Sequence, residues 1–256
     1  MTAMEDALQQ SSIWLWALFV VFLRVGTAVL VLPGVGERSI PVRVKLAIAV
    51  ALSLAVAPSI WSNLPEMKGG LASFAPLAAS ESTNGLAIGL FLRLLILGLQ
   101  IAGSIAAQST SLSQIAGNTG AEPMPAIGNL LTVAGLALLF TTGYQVKIVL
   151  FLANSYLILP FGAFPDPSSL ASLGIARTAK AFSTAFTLAA PFIILSVLYN
   201  LTLGVINRAM PQLMVAFVGA PVITLGSLAM MFVLAPTLLA VWVQGFDTFL
   251  SAPLAP

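Results

Sequence analysis

Eight carboxylates, with no histidine and no cysteine, are all that this 256-residue sequence sets out for acid–base, nucleophilic or metal chemistry. Without those two residue types the chain cannot build a histidine or cysteine zinc site, a haem ligand, a thiol nucleophile or a serine–histidine dyad. The acids are Glu5, Asp6, Glu37, Glu66, Glu81, Glu122, Asp166 and Asp247, and each falls outside an apolar run or at its end. A paired-carboxylate protease or a proton relay needs acids turned inward at membrane depth, and none is expected there. The expectation is no enzyme, no metal and no cofactor.

Polarity without charge is concentrated instead in one segment. Gln108, Ser109, Ser111, Leu112, Ser113, Gln114, Ile115, Gly117, Asn118, Gly120 and Glu122 form a polar island in an otherwise apolar chain. Gln100, Ser104, Gln108, Ser111 and Gln114 recur at steps of three or four, which aligns amides and hydroxyls on one helical face. Gly117-Asn118-Thr119-Gly120 then reads as a turn, and Glu122-Pro123-Met124-Pro125 stops a helix. Two readings stand: a solvated interhelical loop with a frayed helix end, or an element that lines or plugs a pore. Two arginines also lie inside apolar runs. Arg93, near the start of its run, is expected to snorkel, and Arg24, more central, to be buried against a partner.

The elements that must position these groups are membrane helices. Hydrophobic residues make up 59% of the chain and charged residues 7%, with a mean hydropathy of +1.05. Soluble domains carry about 25% charge. Apolar runs cover residues 13–32, 46–61, 86–107, 127–143, 146–161, 181–206 and 213–243. The fold class expected is all-α, with six to seven hydrophobic helices in a single domain over 1–256. Pro191 interrupts the sixth run, and Pro221 and Pro236 interrupt the seventh, so kinks are expected and the seventh run reads as two helices or a hairpin. Gly85 with Gly89, and Gly98 with Ala102, have the small-residue spacing of close helix contacts.

Charge gives a topology and removes other classes. Arg38, Arg43 and Lys45 after the first run, and Arg177 and Lys180 after the fifth, place those loops in the cytoplasm against Lys68, Lys147 and Arg208 outside. The first twelve residues carry acids and no basic residue, which does not fit a cleaved secretory signal. A net charge of +2 from scattered residues makes no nucleic-acid footprint. Gly34-Val35-Gly36 follows a hydrophobic helix rather than a strand and is no phosphate loop.

A family resemblance rests on an ordered set of residues. Phe22-Leu23-Arg24-Val25-Gly26, Leu32-Pro33-Gly34-Val35-Gly36, Ile40-Pro41 with Arg43, and Pro58 resemble the opening of the FliR family of flagellar and type III secretion export proteins. Gln108 with Gly117, Ser155 with Pro160-Phe161-Gly162, and Ala189-Ala190-Pro191 continue it. Asn200, Gly204, Arg208, Pro211-Gln212, Val218-Gly219 and Pro221 resemble its carboxy-terminal signature. Tyr144 and Met214 depart from it, at positions where members often have His and Asn.

The resemblance implies a subunit of an export gate in the bacterial inner membrane and flagellar basal body. It would assemble with FliP-like and FliQ-like subunits into a closed pore for unfolded proteins, with an FlhB-like switch protein alongside. It implies kinked helical hairpins, with Pro33, Gly34, Pro191, Gly204, Pro211, Gln212, Gly219, Pro221 and Pro236 as kink and packing positions, and residues 108–122 as the plug. The competing class is a secondary transporter with a midplane site, for which no internal repeat and no coupling acid are found.

Overall fold

The computed structural model describes residues 2–64, 71–110, 126–210 and 215–251. Their regular structure is helical: α1 (Thr2–Val31), α2 (Val42–Val56) running into a 3₁₀ segment (Ala57–Asn63), α3 (Leu71–Thr110), α4 (Ala126–Thr141), α5 (Tyr144–Ile158), α6 (Pro167–Ala209) and α7 (Val215–Ser251). Five stretches are long and apolar enough to cross a membrane by themselves: Gln10–Val31, Val42–Trp61, Phe74–Ser109, Pro167–Ala209 and Pro221–Ser251. The broken pair α4 and α5 supplies a sixth. The chain is a multi-pass, all-α membrane protein.

Three helices reach much further than their apolar runs. α3 has 40 residues, α6 has 43 and α7 has 37. At 1.5 Å per residue α6 measures about 65 Å, roughly twice a bilayer's hydrocarbon thickness. α3 begins at Leu71, 15 positions before the apolar run at Leu86, and α6 begins at Pro167. Arg177 and Lys180 therefore sit within α6 and not in a loop, which removes half of the basic-loop argument for topology. α7 is one helix with Pro221 and Pro236 inside it, so neither the split nor the hairpin reading of the seventh run holds. Pro191 is likewise interior to α6. Each proline costs one backbone donor, yet helical pairing continues on both sides.

Local chemistry explains the breaks. α6 opens with Asp166 as N-cap: its carboxylate accepts from the Ser168 hydroxyl at 2.6 Å and the Ser169 N–H at 2.8 Å, with Pro167 at the first helical position. α1 ends at a turn through Gly34 (φ 78°), and α5 starts from Gly143 (φ 80°), both in the left-handed region that glycine enters without steric cost.

The helices sort into two compact units, one from Met1–Leu94 and Thr142–Arg177, the other from Leu95–Thr141 and Thr178–Ala252. In the first, Val21, Val25 and Ala28 of α1 and Leu32 just after it are buried, as are Ile148 and Leu152 of α5. Small residues bring α1 and α3 close: a Cβ on Gly85 would meet the Arg24 carbonyl and Thr27, and one on Gly89 would meet Ala28 and Val31. In the second, Leu99 of α3, Leu139 of α4, Ala185, Leu188 and Phe192 of α6, and Trp242 and Phe246 of α7 are buried. There a Cβ on Gly103 would come within 2.5 Å of Gly128 Cα, and the Trp242 indole N–H reaches the Leu95 carbonyl at 2.8 Å.

Candidate functional site

The first unit is organised around a fully buried charge. Arg24 has no exposed surface, and neither does Glu81 of α3. Arg24 Nε donates to Glu81 Oε2 at 2.8 Å and Nη2 to Oε1 at 3.1 Å, the two-pronged geometry that suits guanidinium and carboxylate. Two further N–H groups are used as well. Nη2 reaches the Leu159 carbonyl at 2.8 Å and Nη1 the Ser155 hydroxyl oxygen at 3.3 Å, while the Tyr156 ring centroid lies 3.8 Å from Cζ. Glu81 Oε1 also accepts the Gly162 N–H at 3.1 Å, and Asn84, one turn on, donates to the Ala163 carbonyl at 2.9 Å. One ion pair thus ties α1, α3, the end of α5 and residues 159–163.

This corrects the expectation that no acid lies inward at membrane depth. Glu81 falls inside the span Phe74–Ser109, on a polar stretch Ser80-Glu81-Ser82-Thr83-Asn84 that hydropathy reads as a loop. The signal that points to it is Arg24, because a central arginine requires a counter-charge. Arg93 is corrected too: it pairs with Glu37 at 2.5 Å and 3.1 Å, each side chain about a quarter exposed, instead of snorkelling alone.

In the second unit the polar face of α3 is partly described. Gln100 and Ser104 are half-buried and Gln108 is exposed. At the end of the helix, the Ser109 hydroxyl returns to the Ala106 carbonyl at 2.8 Å. The Ser109 carbonyl accepts the Ser196 hydroxyl of α6 at 2.5 Å. Asn200 donates to the Ser196 carbonyl at 2.9 Å, completing a small polar seam. Ser196 carried no expectation from sequence. Ser111, Leu112, Ser113, Gln114, Ile115, Gly117, Asn118, Gly120 and Glu122 lie outside the described residues, as do Pro211 and Gln212.

The other kink and packing positions divide. The Pro33 carbonyl accepts the buried Tyr144 hydroxyl at 3.4 Å, which ties the turn after α1 to the start of α5. Gly219 is buried against the Tyr199 ring. Gly204 faces open space, with nothing packed on it among the described residues. The small-residue pairs do mark close approaches, Gly85 and Gly89 on α1 and Gly98 on Ala181 of α6, where a Cβ would stand 3.0 Å from the carbonyl oxygen.

Known proteins match almost the whole of this arrangement. The family described as "Bacterial export proteins, family 1" matches residues 15–249. The flagellar biosynthetic protein FliR of Caulobacter vibrioides is 30% identical over 232 residues, 90% of this chain and 92% of the relative. FliR of Escherichia coli is 29% identical over 238 residues, 91% and 87% of the two chains, and FliR of Bacillus subtilis 29% over 211 residues, 80% of each. A match over both units and every described helix leaves one conclusion: the chain belongs to bacterial export protein family 1, the family of the flagellar biosynthetic protein FliR.

Proposed function

We propose that this chain is one subunit of a flagellar or type III protein export gate, without catalytic activity of its own, acting as a single export-gate domain in the bacterial inner membrane. With FliP-like and FliQ-like membrane subunits it forms a closed pore for unfolded proteins, and an FlhB-like protein associates with it. The observation that carries this reading is the length of the family match, residues 15–249, which takes in nearly all of the described helical body. The surface supports it. Ile194, Val197, Leu198 and Leu201 of α6, and Phe232 and Val233 of α7, are exposed large apolar side chains that need lipid or partner helices to cover them.

Within that gate, residues 108–122 serve as the plug. Their small uncharged side chains offer hydrogen bonds without holding any one polypeptide tightly, and Leu112 and Ile115 supply an apolar constriction. The support is positional: α3 carries Gln100, Ser104 and Gln108 towards the segment, and Ser196 fixes the last turn before it.

Extraction in mild detergent followed by mass spectrometry tests the assembly. Two other small membrane proteins are expected to accompany the chain, whereas recovery alone or as a homo-oligomer would favour a transporter. Glu81 gives the transporter reading one acid at membrane depth, but both of its oxygens are already engaged by Arg24 and the Gly162 N–H.

A further inference from the structure

α1 and α2 leave an open, almost wholly apolar groove of about 220 Å³ between them, closed on one side by Ser82 of α3. Its walls are Phe22, Gly26 and Leu30 of α1 with Leu46 and Ala49 of α2, and Lys45 stands at its edge. From Phe22 to Leu30 is eight residues, about 12 Å along a helix axis, a length that takes roughly half of a phospholipid acyl chain. Gly26 keeps the floor low, since a Cβ there would press on the Phe22 ring at 3.3 Å. Thr27 adds no polarity, because its hydroxyl returns to the Leu23 and Arg24 carbonyls at 2.9 and 3.0 Å.

The two ends of the groove differ in charge. Towards the start of α2, Lys45 makes one hydrogen bond, to the Gly36 carbonyl at 3.0 Å, which orients its ammonium and leaves two donors. Arg38 and Arg43 are exposed beside it in sequence, and the local acid, Glu37, is held by Arg93. The opposite end of α1 and α2 is aromatic: Trp14 and Trp61 have ring centroids 4.1 Å apart, and Phe19 stacks with Phe74 at 5.7 Å. Aromatic groups at one end and bare positive charge at the other are how a helix pair addresses two membrane interfaces. We propose that the groove binds an anionic phospholipid, one acyl chain lying between α1 and α2 and the phosphate held by Lys45 at the groove's edge. Basic pockets between membrane helices on the cytoplasmic side are suited to acidic headgroups, and an apolar groove without a cation would not discriminate among them.

The absence of native cysteine allows a test after folding. The full chain, extracted with its accompanying subunits, is offered phosphatidylglycerol or phosphatidylcholine in mixed micelles, and retained lipid is read by native mass spectrometry. Lys45→Gln is expected to lower phosphatidylglycerol retention about fivefold and to leave phosphatidylcholine unchanged. Leu46→Cys, at a position 54% exposed, is then labelled with a bulky maleimide, which is expected to expel the lipid from an already folded complex. Equal retention of phosphatidylglycerol by the charge variant would overturn the proposal. So would protection of Leu46→Cys from the reagent by a crosslinkable protein subunit, which would make the groove a helix-docking surface.

Discussion

Arg24 shows why a buried ion pair and a stabilising ion pair are different things. Bringing both charges out of water costs several kcal/mol each, and the pairing repays this only because every nitrogen of the guanidinium donates to an acceptor. Removing one partner is therefore expected to be worse than removing both. Arg24→Met should destabilise the purified protein by about 3–5 kcal/mol, since Glu81 is left buried and uncompensated. Arg24→Met combined with Glu81→Leu should recover most of that loss, though not all, because the Gly162 N–H also loses its acceptor. Thermal unfolding in one detergent compares the three proteins. A double variant no more stable than the single would show that the cluster does more than satisfy its own charges. Asp166 is the opposite case, an exposed carboxylate whose role is local. Hydrogen bonds from Ser168 and then Ser169 hold its pKa at about 2, below the ordinary 3.8. A depressed carboxylate favours the folded cap above 3.8, and that contribution fades as pH falls through about 2. Protection of the Ser169 amide against hydrogen exchange, relative to its intrinsic rate at each pH, should fall over that window in the native chain. In Asp166→Ala it should be about fivefold lower at neutral pH, and in Asp166→Asn close to native and independent of pH there.

At the scale of helices, what was readable from sequence follows from what hydropathy measures. The central parts of α2, α4 and α5 coincide with apolar runs because those helices are apolar nearly throughout, and α1 coincides with its run only after its polar first eleven residues. The first four turns of α3 do not, because Ser80-Glu81-Ser82-Thr83-Asn84 is polar yet faces α1 and the 159–163 segment, with Ser80, Glu81 and Asn84 buried. A window over the sequence cannot distinguish polarity turned to solvent from polarity turned to a buried arginine. The start of α6 carried a usable signal that the apolar run hid: Asp166-Pro167-Ser168-Ser169 has an N-cap and a proline at the first position. α7 shows the reverse error, in which Gly219-Ala220-Pro221 reads as a turning point but packing against α4 and α6 keeps one helix. The small-residue spacing was the more dependable guide. Gly85 admits no Cβ without displacing backbone of α1, so Gly85→Ala should force α1 and α3 apart and cost about 1–3 kcal/mol, with Arg24 and Glu81 losing alignment. At Gly174, where the nearest atom to a Cβ is a Phe91 ring carbon at 3.9 Å, an alanine should be tolerated. If Gly85→Ala and Gly174→Ala unfold at the same temperature, the close approach is not what limits packing there.

For the whole molecule, the proposal that residues 108–122 plug a gate raises the question of what would hold that segment in place. Its amino-terminal anchor is the last turn of α3, whose Ser109 carbonyl is fastened to Ser196 of α6 at 2.5 Å, with Asn200 bracing the same seam. That anchor is a single hydrogen bond between neutral groups, worth about 1 kcal/mol. Removing it shifts a closed-to-open equilibrium by a factor of about five without disturbing the helices. Ser196→Ala should then raise the leak of small ions through assembled gates modestly, and deletion of Gly117 to Gly120 should raise it strongly, with subunit co-purification unchanged in both. Conductance of gates reconstituted in planar bilayers measures the difference. The two variants separate two ideas: a leak after the deletion but not after Ser196→Ala means that the segment closes the pore without needing its α6 anchor. Unchanged conductance in the deletion, in gates shown to assemble, would remove residues 108–122 from the barrier and leave closure to the apolar helices around it.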